Sequence, residues 1–228
     1  MITHATPLDP GVRHMSDDSR LHKTTLRYLA LGDSYTIGDG VAASEAWPAQ
    51  LAQDLRDEGV AIADPQIVAQ TGWTTDELQA AIDATPLDPP YDLVSLMVGV
   101  NDQYRNRPLD EYGEQFDALL QQAIGFAGGR AERVLVLSIP DWGVTPFALT
   151  EQDRTPADIG DAVDAFNVTA FEVCARKGVA FLDITPISRE CGVHEEMLVA
   201  DALHPSAAMH SLWAREALPA VRAMIQGE

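Results

Sequence analysis

Basic side chains are scarce in this sequence. Fifteen Lys and Arg stand against 35 Asp and Glu, a formal charge of −20. A surface so acidic repels phosphate backbones and anionic lipid, which argues against nucleic acid and membrane-surface partners. Cysteine is scarcer still, with only Cys174 and Cys191. Two thiols cannot staple a domain of this size, so a disulfide scaffold is excluded. They either pair with each other or stand as two free thiols in a reduced compartment, and the second reading is preferred. No stretch approaches the ~20 apolar residues of a membrane-spanning helix. Internal repeats, low-complexity segments and a Walker-type lysine are missing too, which removes solenoids and P-loop nucleotide chemistry.

The segment from Met1 to about Lys23 is polar and patternless, with no apolar run of signal-peptide length. It reads as a poorly ordered tail (residues 1–23) ahead of one domain (residues 24–228), with Met15 as a candidate alternative start. The cytoplasm is the expected location.

What is present is an ordinary globular composition, 46% hydrophobic and 22% charged over 228 residues, enough for one substantial core. Short apolar runs near Arg27–Leu31, Gln66–Ala69, Asp92–Val98, Val134–Ile139 and Val179–Ile184 read as strands. Between them lie helical patterns over Trp47–Gly59, from Thr74 to about Ala84, Leu109–Phe126 and Pro156–Lys177, and a last helix runs from about Pro205 to Ile225. Five strands alternating with helices predict an α/β fold: three α/β/α layers around a five-stranded parallel sheet.

In such a sheet, ligands bind beyond the carboxyl ends of the strands. The first strand ends at Gly32-Asp33-Ser34-Tyr35, so Ser34 is either a helix cap or a nucleophile. Asp33 is a turn or cap residue under either reading. The second and third strands are followed by Gly72 and by Gly99-Val100-Asn101-Asp102. The backbone N–H at Gly72 and the Asn101 amide are candidate oxyanion donors, although a turn glycine and a turn pair are the plain alternatives. Near the C-terminus, Asp201 and His204 are three residues apart, a spacing that lets a carboxylate hold an imidazole tautomer if both face one side of a helical turn. Trp73, Tyr104, Trp142 and Phe147 fall in loops after strands and are candidate pocket residues, with ordinary loop packing as the alternative. Arg105 and Arg107 read as solvated arginines. His4, His14, His22, His194 and His210 have no partner pattern and read as surface residues. His194-Glu195-Glu196 lacks a third ligand at a metal-binding spacing, so no metal is expected.

Taken in order, Gly32-Asp33-Ser34-Tyr35, Gly72, Gly99-x-Asn101-Asp102 and Asp201-x-x-His204 resemble the conserved blocks of the GDSL, or SGNH, hydrolase family. The likeness runs from about Leu26 to the C-terminus. It implies a flavodoxin-like SGNH fold and a serine esterase or lipase-like enzyme that cleaves a small-molecule ester through an acyl-enzyme, with no cofactor. On the same resemblance Ser34 is the nucleophile, His204 the base and Asp201 its orienter; the Ser34 and Gly72 N–H groups and Asn101 form the oxyanion hole. The family's namesake leucine is Tyr35 here. Thr36 stands where a Gly-x-Ser-x-Gly elbow would need its second glycine, which argues against the α/β-hydrolase fold proper. Carbohydrate O-deacetylase, thioesterase and lysophospholipase activities use the same machinery. A non-catalytic nucleotide- or carbohydrate-binding module is the reading from another class. For nucleotide, Gly38-Asp39-Gly40-Val41-Ala42-Ala43 lies too far beyond the strand to cradle a phosphate.

Overall fold

The computed structural model describes Met1 and residues 25–227. The expected tail beyond Met1, its boundary with the domain, the candidate start at Met15, and His4, His14 and His22 all lie outside the described residues. In chain order the elements are β1 (Tyr28–Gly32), α1 (Ser34–Ile37), α2 (Trp47–Asp57), β2 (Gln66–Ala69), α3 (Thr75–Ala84), β3 (Leu93–Met97), α4 (Val100–Tyr104), α5 (Leu109–Phe126), β4 (Val134–Leu137), α6 (Pro156–Lys177), β5 (Ala180–Leu182), α7 (Thr185–Cys191) and α8 (Ala207–Gln226).

The strands form one parallel sheet in the order β2-β1-β3-β4-β5. Every residue of β1, β3 and β4 is buried, as expected of continuous apolar runs covered on both faces. The edge strands β2 and β5 are more open. The β1→β2 crossover runs one way across the sheet, whereas β2→β3, β3→β4 and β4→β5 all run the other. Right-handed crossovers therefore put α2 on one face and α3, α5 and α6 on the opposite one. The packing agrees: α8 returns to lie on α2, while α5 packs against both α3 and α6. The direction of winding reverses between β1 and β3, so a crevice opens beyond their carboxyl ends.

Helix boundaries follow local chemistry. Glu77 reaches back to accept from the Thr74 N–H at 2.9 Å, opening α3. Thr155 and Asp158 close a reciprocal capping box on α6, which ends at Gly178 with φ +68°. Three short helices depart from the expected pattern. Asn101 and Asp102 sit in α4 rather than in a turn, α1 starts at Ser34 with only Asp33 between it and β1, and α7 occupies a stretch that looks irregular in sequence. The last helix starts at Ala207, because Pro205 pairs with Leu198 in an antiparallel bridge. Cys174 and Cys191 are free, the first buried. Among the described residues no helix is long and apolar enough to cross a membrane.

Candidate active site

β1 delivers Ser34 to the crevice through a turn with no spare room. A Cβ on Gly32 would lie 2.4 Å from the Met97 carbonyl oxygen and 2.1 Å from Thr36 Oγ1, so only glycine lets the strand end pass there. Ser34 is the first residue of α1 but does not cap it. The cap is Asp33, whose Oδ1 accepts from the Tyr35 N–H at 3.0 Å. The plain structural role for Ser34, capping the helix, is thus filled by its neighbour. Asp33 is fully buried and its Oδ2 meets no donor. Burial pushes its carboxyl up to about 8; the Tyr35 N–H opposes the shift and the charge of Asp102 adds to it.

The two turns beside β1 are tied to each other. Gly72 adopts φ +85°, a left-handed conformation suited to glycine, and its carbonyl accepts from Arg105 Nη2 at 2.7 Å. Asn101 Nδ2 donates to the Trp73 carbonyl at 2.9 Å, which leaves the second amide hydrogen for the cleft. Asp102 accepts from the Thr75 hydroxyl at 2.8 Å and the Thr75 N–H at 3.1 Å. Burial raises its carboxyl against those bonds. Arg105 also pairs with Glu77 at 3.3 Å, so this exposed, solvated arginine braces the Gly72 turn as well.

Asp201 and His204 do meet, but not on a helix. They share a turn in which Asp201 Oδ1 accepts from the N–H groups of Leu203 and His204, both at 2.9 Å. Its Oδ2 meets His204 Nδ1 at 2.6 Å. Although burial opposes it, these bonds hold the Asp201 carboxyl below the usual carboxylate range. Between the two residues Ala202 takes φ +60°, and its carbonyl accepts from the Phe147 N–H at 3.1 Å. No hydrogen bond joins His204 Nε2 to Ser34 Oγ among the described residues; such contacts often tighten only around substrate. Nε2 instead lies 4.0 Å from Asp39 Oδ2.

Ser34, Gly72, Asn101 and His204 line a single cleft of about 190 Å³ together with Tyr35, Thr71 and a largely apolar wall of Val100, Tyr104, Trp142, Phe147 and Leu203. Trp142 packs edge-on to Tyr104 with ring centres 5.5 Å apart, and 6.1 Å from Phe147. The Arg154 guanidinium lies 4.9 Å from the Tyr104 ring centre and 5.0 Å from that of Trp142, pinning the wall. Trp73 does not line the cleft. It packs half-buried on the core, and only its carbonyl touches the site.

His210 is not a surface residue. It is fully buried, its Nδ1 accepts from the Trp47 N–H at 3.3 Å, and burial pushes its imidazole down to about 4. The signal was in the sequence: His210 is three residues before Trp213 and seven before Ala217, on the apolar face of the last helix. His194 is exposed, and no cluster of three His, Cys, Asp or Glu side chains forms among the described residues. Asp39, Thr71 and Arg154 carried no motif that singled them out.

A flavodoxin-like sheet with a serine, a carboxylate-held histidine and an apolar cleft at its switch point defines a hydrolase class. The chain belongs to the GDSL-like lipase/acylhydrolase family, whose model matches residues 30–212. Solved structures share the fold at low identity. TesA aligns with a TM-score of 0.68 and 22% identity over 87% of this chain and 99% of its own. The lipase/acylhydrolase from Enterococcus faecalis gives 0.64 and 23%, over 88% and 97%. Axe2, an acetylxylan esterase from Geobacillus stearothermophilus, gives 0.63 and 21%, over 86% and 94%. No curated protein matches the chain.

Proposed function

We propose that this hydrolase cleaves carboxylic esters through an acyl-enzyme formed on Ser34. One observation carries the reading: Ser34 is free of any capping duty and opens onto the same cleft as His204, whose far nitrogen is held by Asp201 at 2.6 Å. In the proposed cycle Ser34 Oγ attacks the acyl carbonyl while its proton passes to His204 Nε2. Asp201 fixes the ring's tautomer and steadies the imidazolium. The N–H groups of Ser34 and Gly72 and the Asn101 amide take the charge that develops on the carbonyl oxygen. The imidazolium then gives its proton to the departing alkoxide. Water, deprotonated by the same imidazole, attacks the acyl-enzyme and regenerates Ser34. Val100, Tyr104, Trp142, Phe147 and Leu203 offer the acyl chain an apolar wall. The free thiols are compatible with the reduced, cytoplasmic compartment that this reading proposes.

A fluorophosphonate probe tests this directly. The expected result is one adduct per chain, located on Ser34 by peptide mass spectrometry, with hydrolysis lost in step. An active protein that takes no adduct, or takes it elsewhere, would falsify the reading.

A further inference from the structure

One group outside the proposed machinery lies close to His204 Nε2. It is Asp39, just past the end of α1, with Oδ2 4.0 Å from Nε2. Thr71, which lines the cleft, donates its hydroxyl to that same oxygen at 2.7 Å. Among the described residues Oδ1 accepts nothing and no lysine or arginine pairs with Asp39; its side chain is 39% exposed. Arg105, beside the Gly72 turn, is taken up by Gly72 and Glu77. Beside the cleft there is therefore a carboxylate anchored on one oxygen, with no lysine or arginine paired to it among the described residues.

Position gives this carboxylate a meaning. In the proposed cycle the proton on Nε2 must reach the departing oxygen, so that oxygen comes within hydrogen-bond distance of Nε2. A group on the carbon next to the departing oxygen is then brought toward Asp39. A hydroxyl there can donate to the carboxylate, whereas a phosphate or carboxylate is repelled.

We propose that Asp39, steadied by Thr71, is a leaving-group subsite that selects esters of polyhydroxylated alcohols, such as glycerol or sugars, over esters and thioesters with anionic leaving groups. The inference rests on the serine-esterase reading above and adds a substrate class to it. The bond broken remains the acyl C–O bond. The departing alkoxide takes its proton from His204, and Asp39 only accepts a hydrogen bond from the hydroxyl next to it.

The test uses three esters that share one acyl chain, those of ethanol, glycerol and glycerol 3-phosphate. kcat/KM is measured for each on the wild-type chain, Asp39→Asn and Asp39→Ala, with melting temperatures as a fold control. Expressing each rate relative to the ethyl ester cancels any uniform effect on His204. A hydrogen bond to a charged acceptor contributes roughly tenfold or more in such a ratio. The glycerol-to-ethyl ratio should fall by about that factor in Asp39→Ala and by less in Asp39→Asn, which keeps a neutral acceptor. The phosphate-to-ethyl ratio should rise in both. If both ratios stay at wild-type values while all rates fall together, Asp39 merely holds the Thr71 turn or acts through His204, and the proposal is overturned. Unchanged rates throughout overturn it as well. Failure of the underlying reading shows differently: Ser34→Ala would then retain all three rates, whatever the Asp39 variants do.

Discussion

Ser34 and His204 reach one cleft from two unlike kinds of structure. Ser34 leaves a fully buried strand through a turn where a side chain on Gly32 would strike the Met97 backbone, and Asp33 beneath it is wholly enclosed. His204 sits in a turn that borrows its order from one carboxylate, which accepts three hydrogen bonds, and that includes a left-handed alanine. The nucleophile side is set by the sheet and its core. The base side is set by Asp201 and by the Phe147 N–H that holds Ala202. Substitutions on the two sides should therefore fail in different ways: through catalysis with the fold intact at Asp201, and through stability as well as rate at Gly32 and Asp33, which pack the strand end.

After loss of the Ser34 hydroxyl itself, the largest effect should come from Asp201→Asn. It keeps the size of the side chain but offers Nδ1 the wrong partner, so kcat should fall by about 10⁴ with little change in melting temperature. A mild loss of rate would mean that the loop holds His204 without its carboxylate, and the contrast between the two sides would weaken. Next in size is Asn101, on the strand side. Asn101→Ala should cost about 10²–10³ in kcat with KM nearly unchanged, the mark of a contact made mainly in the transition state. Asn101→Asp should be at least as harmful, because a carboxylate repels the oxyanion. Near-native kcat in Asn101→Asp would remove it from the oxyanion role and leave the backbone donors alone.

A smaller effect, read as stability against pH, sharpens the comparison at Asp33. The native carboxyl holds its proton to about 8, whereas the usual value is 3.8. Its contribution to stability is thus full below 3.8 and is lost as pH rises toward 8. Asp33→Asn keeps an acceptor for the Tyr35 N–H and removes the titration. Its melting temperature relative to wild type should climb across that window and level off above it. His210, which burial pushes down to about 4, titrates in both proteins and cancels in the difference. A difference that stays flat with pH would show that Asp33 is ionised in the native chain.

Much of this contrast was legible in the sequence. The five strands, their parallel pairing and the edge that carries the site followed from apolar runs separated by helical patterns, and the fold agrees; the strand order β2-β1-β3-β4-β5 did not. Ser34, Gly72, Asn101 and His204 could be placed on one edge because each follows a strand or carries a motif. The closeness of Asp201 and His204 was also legible, but its cause is an Asp-centred turn with Ala202 at positive φ, which spacing alone does not distinguish from a helical turn. Long-range pairings were hidden. Asp39 acquires its place only when the Thr71 turn folds across it, and Arg105 becomes a strut only when α4 docks beside Gly72. Trp73 looked like its aromatic neighbours, yet the strand-end turn directs its carbonyl, not its ring, to the site. His210 was misread because a lone polar residue hid the apolar periodicity around it.

The proposed acyl-enzyme forms on Ser34, so Ser34 is where the mechanism is tested most directly. The decisive measurement is kcat of Ser34→Ala on the best ethyl ester, taken with its melting temperature. Because another residue caps α1, removing the hydroxyl should leave the fold and the melting temperature close to wild type. The rate should fall by about 10⁴ or more. A Ser34→Ala protein that melts like the wild type and still turns over ester at the native rate would contradict the mechanism outright.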